Sequence, residues 1–123
     1  MSEKPWLKFY EPHVPAHVEY PPITLPAALR ETANKYPNRT AILFKGTRIS
    51  YRAFDELADQ FAAALQGLGV KKGDRVALHL PNCPQFPIAY YAALRAGAIV
   101  VPCNPLYQAG ELRYQLNDSG AEV

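Results

Sequence analysis

Apolar residues recur at helical spacing in three stretches of this chain and cluster into short β-type runs between them. Leu25, Ala28, Leu29, Ala33 and Tyr36 fall on one face of a helix. Thr24 is placed to cap it, Pro26 lies in its first turn and Pro37 ends it. Thr40–Phe44 and Thr47–Tyr51 read as two strands of a hairpin around Lys45-Gly46. Phe54, Leu57, Ala58, Phe61, Ala62, Leu65 and Leu68 then keep the clearest helical period, capped by Ser50 and stopped by Gly67 and Gly69.

The second half alternates strand and helix. Arg75–Leu80 is apolar apart from Arg75 and His79, as a strand covered on both faces would be. Asn82 with Gln85 has the spacing of a capping box for a helix carrying Phe86, Ile88, Ala89, Ala92, Ala93 and Leu94 as far as Gly97. Pro87 predicts a distorted start there. Ala98–Val101 is a second buried strand, and Ala109–Asn117 a further helix. Strand, helix and strand in this length form a βαβ unit with parallel strands. Asp118-Ser119-Gly120 is turn chemistry, and Ala121-Glu122-Val123 reads as the start of another strand. That stub is expected to close the edge beyond Ala98–Val101, and the chain is expected to be the front piece of a larger protein.

Residues 1–23 differ from the rest. Six of the twelve prolines fall between Pro5 and Pro26, which predicts an extended arm, residues 1–23, before an incomplete α/β subdomain, residues 24–123. The arm carries Trp6, Leu7, Phe9, Tyr10 and Tyr20 and is expected to lie packed against protein.

Composition adds exclusions. The chain is 49% hydrophobic and 20% charged, as a folded domain is, and its net charge of +2 gives no warrant for a nucleic-acid partner. No apolar run reaches the roughly 18 residues of a membrane span, and no signal core is present, so a cytoplasmic location is expected. Cys83 and Cys103 lack CxxC spacing and read as two reduced thiols. His13 and His17 sit four apart, but Pro12 and Pro15 oppose the helix that a metal pair would need. Lys71-Lys72-Gly73-Asp74 reads as a solvated turn, since no glycine-rich loop opening a helix accompanies it. Asn82, Asn104 and Tyr107 follow the carboxyl ends of the parallel strands, where open sheets place ligands, although capping and turn duty explains each.

The run LPNCPQFPIAYYAALRAGAIVVPCNPLYQAGELRYQLNDSGAEV, Leu80 to Val123, resembles the N-terminal region of AMP-forming acyl-CoA synthetases of the adenylate-forming superfamily. ISYRAFDELADQFAAALQGLGVKKGDRVAL and the opening KPWLKFY are similar to the same family, and NPLYxxxEL followed by YQLNDSGA points to its long-chain fatty-acid–CoA ligase branch. Gln108 stands where that family usually has a hydroxyl residue, which predicts a poorly capped last helix.

The fold implied is the N-terminal part of an adenylate-forming enzyme: α/β, with βαβ units of an open, mostly parallel sheet, a small hairpin and an extended arm. The chemistry implied is activation of a fatty acid by ATP and magnesium to an acyl-adenylate, then transfer to coenzyme A. The family's Ser/Thr/Gly-rich phosphate loop and its catalytic lysine match nothing in this sequence. No residue is assigned a catalytic, cofactor-binding or metal role, and the 123 residues alone are expected to be inactive and to bind none of these cofactors. Partners implied are fatty acid, ATP and coenzyme A for the whole enzyme, with self-association of this chain through the arm or the truncated sheet edge. The alternatives are another adenylate-forming ligase, for aryl or medium-chain acids, and a non-catalytic dimerisation module.

Overall fold

The computed structural model describes residues 4–123. Among these residues four α-helices and four strands follow one another as α1 (Leu25–Lys35), β1 (Thr40–Phe44), β2 (Thr47–Ser50), α2 (Tyr51–Gly67), β3 (Arg75–Leu78), α3 (Gln85–Arg95), β4 (Ile99–Pro102) and α4 (Ala109–Ser119). The expected α/β order is therefore present.

Local chemistry explains most boundaries. Thr24 Oγ1 accepts from Ala27 N–H at 3.3 Å and Ser50 Oγ from Ala53 N–H at 3.2 Å, so both hydroxyls cap the helices they precede. Lys45 and Gly46 take φ of 48° and 83°, the left-handed pair that a tight two-residue hairpin needs. β1 and β2 pair antiparallel, with a bulge between Thr40 and Ile42. Of the two glycines expected to stop α2, only Gly69 is left-handed, at φ 94°; Gly67 is the last residue of the helix.

The start of α3 departs from expectation. Asn82 is not its cap. The Cys83 N–H donates to Pro81 O at 2.8 Å and the Phe86 N–H to Cys83 O at 3.1 Å, so residues 81–84 form a turn. Pro84 occupies the cap position, and no side chain caps the helix. Starting at Gln85 puts Pro87 third in the helix, among the positions whose N–H groups lack helical partners anyway. The first bond past it, from Ile88 N–H to Pro84 O, is long at 3.4 Å. The start of α4 departs in the other direction. Glu111 reaches back to accept from the Gln108 N–H at 2.9 Å, so the returning half of a capping box is present although no hydroxyl precedes the helix.

β3 and β4 are parallel, with Val76 opposite Val100 and Leu78 opposite Pro102. The terminal segment is not beside β4. Ala77 N–H donates to Val123 O at 2.7 Å, which puts residue 123 on the far side of β3. β4 is left as an edge, and its chemistry suits one. The N–H groups of Ile99 and Cys103 donate to the carbonyls of Asp74 and Leu78 on the β3 side, so alternation turns the backbone groups of Val100 and Pro102 outward. Pro102 has no N–H to offer, and its carbonyl already accepts from Gln115 Nε2 at 3.0 Å. The sheet edge expected to invite another chain is thus blunted at β4.

The core lies between α2, α3 and the parallel pair. Ala62, Leu65, Val76, Leu78, Ala89, Ala92 and Ala93 form one buried cluster, joined by Val70, Ala96 and Ala98. Alanines dominate because two helices and a sheet meet closely there. Gly97 enables another close approach. It has φ 81°, and a Cβ on it would stand 3.2 Å from Lys72 Cα. Gly97→Ala is expected to cost about 1–2 kcal/mol from the left-handed backbone alone, with the crowding against Lys72 adding to it. Urea unfolding checks this; a change below a few tenths of a kcal/mol would mean that the turn rearranges freely.

A charged box clamps α1, α2 and α3 together. Arg95 pairs with Asp55 and, at 2.8 Å, with Asp59, and its guanidinium also donates to Asp55 O at 2.7 Å. Arg30 pairs with Asp55 at 2.9 Å and Asp59 at 2.6 Å. The side chains of Asp55 and Arg95 are each only 10% exposed, so the pair is part of the interior.

The arm is the largest departure. Pro5–Phe9 forms a short 3₁₀ turn, and Glu11–Ile23 has no helix or strand. Trp6 is 53% exposed, Phe9 78% and Tyr20 83%, so the expected packing of these rings is not made within the chain.

Candidate functional site

The carboxyl ends of β3 and β4 are where an open parallel sheet would hold a ligand. Asn104 Oδ1 accepts from Leu106 N–H at 3.0 Å, and Asn104 O accepts from Tyr107 N–H at 3.0 Å. Both contacts close the turn into α4, so Asn104 does turn duty. Asn82 is exposed in the turn before α3, and Tyr107 is half-buried beside a groove of about 610 Å³ along α4 that Tyr114 and Gln115 also line. Asn104 and Tyr107 therefore share the turn into α4, whereas Asn82 lies in the separate turn before α3.

The two cysteines follow the same strands. Cys103 is buried and its Sγ lies 3.6 Å from Val101 O; burial pushes its thiol pKa up, away from the reactive thiolate. Cys83 is half-buried, and both are free thiols. Lys71 and Lys72 are exposed in a turn closed by Asp74, whose Oδ2 accepts from Lys71 N–H at 2.7 Å. His13 and His17 are exposed in a segment without helix.

Among the described residues no three His, Cys, Asp or Glu side chains converge on a point that could hold a metal ion. The described residues do not fit a magnesium site. Nor is any helix among them long and apolar enough to cross a membrane.

What the carboxyl end of β3 does present is an apolar groove of about 590 Å³, lined by Ile49, Leu57, Phe61, Leu80 and Ile88 among others. Leu57 and Phe61 read from the sequence as core, yet they are 37% and 40% exposed. Helical period gives a face, and here the face is wider than the α3 surface that covers it.

Comparison with known proteins widens this picture. Residues 29–123 match the family described as AMP-binding enzyme. Over 122 residues the chain is 46% identical to the long-chain-fatty-acid–CoA ligase of Bacillus subtilis, covering 99% of this chain and 22% of that relative. Over 94 residues it is 48% identical to the salicyl-AMP ligase / salicyl-S-ArCP synthetase of Mycobacterium tuberculosis, covering 72% of this chain and 17% of that relative. The Klebsiella oxytoca NpsA N-terminal subdomain, solved with 3-hydroxyanthranilyl-AMSN, superposes with a TM-score of 0.76 at 31% identity, over 79% of this chain and 25% of that one. The chain thus spans about a fifth of the length of the curated relatives it matches.

Proposed function

The chain belongs to the family of AMP-binding enzymes, and on that premise we propose that it is the N-terminal part of a long-chain fatty-acid–CoA ligase. The observation that carries this reading is the extent of the match. Identity of 46% to the Bacillus subtilis ligase runs through 99% of this chain, proline-rich arm included. The activity proposed for the whole protein has two steps. A fatty-acid carboxylate oxygen attacks the α-phosphorus of ATP, and pyrophosphate leaves to give the acyl-adenylate. The coenzyme A thiolate then attacks the acyl carbon and AMP leaves, giving the thioester. Electrostatic stabilisation of charge gathering on the phosphates is the main demand of the first step. This chain supplies the packed α2–α3–sheet frame and no catalytic group, so the 123 residues alone are inactive.

An aryl-acid ligase is the second reading, favoured by the 48% identity to the salicyl-AMP ligase, though over only 72% of the chain. Replacing the matching span of the Bacillus subtilis ligase by these 123 residues tests the proposal. Pyrophosphate exchange dependent on a long-chain fatty acid is expected from the hybrid. A hybrid that folds, yet exchanges no more than a no-protein blank, counts against it.

Self-association is part of the proposal. Exposed Trp6 and Phe9 each gain about 1.5–3 kcal/mol if a partner surface buries them, and the groove beside Leu57 and Phe61 is a second apolar surface. With β4 blunted, these surfaces rather than the β4 edge carry the contact. Sedimentation at micromolar concentration is expected to show a species larger than the monomer, with Trp6 emission shifted to the blue as it forms. A concentration-independent monomer would refute it. The location proposed is the cytoplasm.

A further inference from the structure

Helix α1 is attached to the body unevenly. Its C-terminal end is tied by backbone bonds: Tyr51 N–H donates to Arg39 O at 3.0 Å and Arg52 N–H to Pro37 O at 3.1 Å. Its N-terminal end is poorly seated. Leu25 is 55% exposed, and an open cavity of about 470 Å³ lies between Thr24–Pro26 and the end of α3 at Leu94 and Arg95. Along its length only Leu29 and Ala33 are buried, and neither belongs to the main core cluster. Beside that short apolar contact the helix is held by charge: Arg30 pairs with both Asp55 and Asp59.

The two arginines of that box are not equivalent. Arg95 is 10% exposed and contacts both carboxylates by itself, whereas the Arg30 side chain is 47% exposed. Loss of Arg30 therefore leaves both aspartates partnered and α2 still joined to α3. Its own contacts reach solvent and are screened by salt.

We infer that α1 is a hinged strap, fixed at Pro37–Arg39 and held shut by the Arg30 ion pairs, which opens together with the arm while α2, α3 and the parallel sheet stay folded. Leu29 and Thr32 of the strap border an open cavity of about 270 Å³ that is also lined by Phe54 and Tyr91, an edge-to-face pair with ring centroids 5.4 Å apart. Opening exposes that aromatic pair. Local opening of this kind is a sub-global unfolding step with its own equilibrium.

Hydrogen exchange on the 123-residue chain, resolved by peptide, tests this. Arg30→Gln is expected to speed exchange of the Leu29–Lys35 amides about fivefold, with the buried amides of α2 and α3 changing less than twofold. Raising sodium chloride from 0.05 to 1 M on the unaltered chain is expected to give the same selective change, and this series decides the matter if the variant does not fold. Equal acceleration of α1, α2 and α3, or no response of α1 to either change, overturns the strap.

Discussion

Replacing Ala92 by leucine is expected to destabilise the fold by about 3 kcal/mol, the upper part of the usual cost of overpacking. Ala92 is 0% exposed, as is its neighbour Ala93, and the cluster around them contains Ala62, Leu65 and Val76. Three added carbon atoms have no void to enter, so α3 must move away from α2 or from the sheet. Both shifts open space elsewhere in a core built mainly from small side chains. The same change at exposed Gln66, on α2, serves as the control and is expected to stay within about 0.5 kcal/mol. Urea midpoints for the two variants check this. Equal midpoints would mean that the alanine seam is not the tight contact described.

Asp55→Ala is expected to cost about 2–4 kcal/mol. Removing one partner of a buried ion pair costs about 3–5 kcal/mol, because the other charge is left in the interior. The expectation is set lower here because Arg95 keeps Asp59 and the backbone carbonyl of residue 55. The double variant Asp55→Ala/Arg95→Met removes both interior charges and is expected to recover part of the loss, since apolar replacement of a whole buried pair is often neutral. Denaturant unfolding of the single and double variants distinguishes this from simple loss of volume. If the double variant falls below the single one by the full cost of another truncation, the pair acts through packing and not through charge.

Much of the fold was legible because its signals are local. Thr24 and Ser50 act through their own hydroxyls, and Lys45-Gly46 through its own backbone, so neighbours a few residues away suffice to read them. The βαβ unit was legible from apolar runs of the right length. What failed depended on chain far away, on competition between turns, or on a side chain one turn further along. Asn82 and Gln85 have the spacing of a capping box, but the turn at Pro81–Pro84 takes the backbone first. Gln108 lacks the hydroxyl of a good cap, but Glu111, three residues on, bonds back to its N–H. Whether residues 121–123 lie beside β3 or β4 is a tertiary choice that no local pattern encodes. Aromatic residues in the arm promised burial, and apolarity alone does not say against what. The charged box was readable only in part: Asp55 and Asp59 share a helix face at i and i+4, while Arg30 and Arg95 are brought to it by packing. Turn duty was legible for Asn104, whose Oδ1 and backbone oxygen both close the turn into α4.

The central claim is that these 123 residues work as the front of a fatty-acid ligase and not of an aryl-acid ligase. It is tested most directly by placing them in two bodies, as replacement for the matching span of the Bacillus subtilis long-chain-fatty-acid–CoA ligase and of the Mycobacterium tuberculosis salicyl-AMP ligase, and measuring pyrophosphate exchange with each body's own acid. The account predicts that the fatty-acid hybrid stays within about tenfold of its parent, roughly 1.4 kcal/mol in the barrier, and that the salicylate hybrid loses at least ten times more than that. A folded fatty-acid hybrid without exchange, beside a salicylate hybrid that keeps its activity, would contradict it.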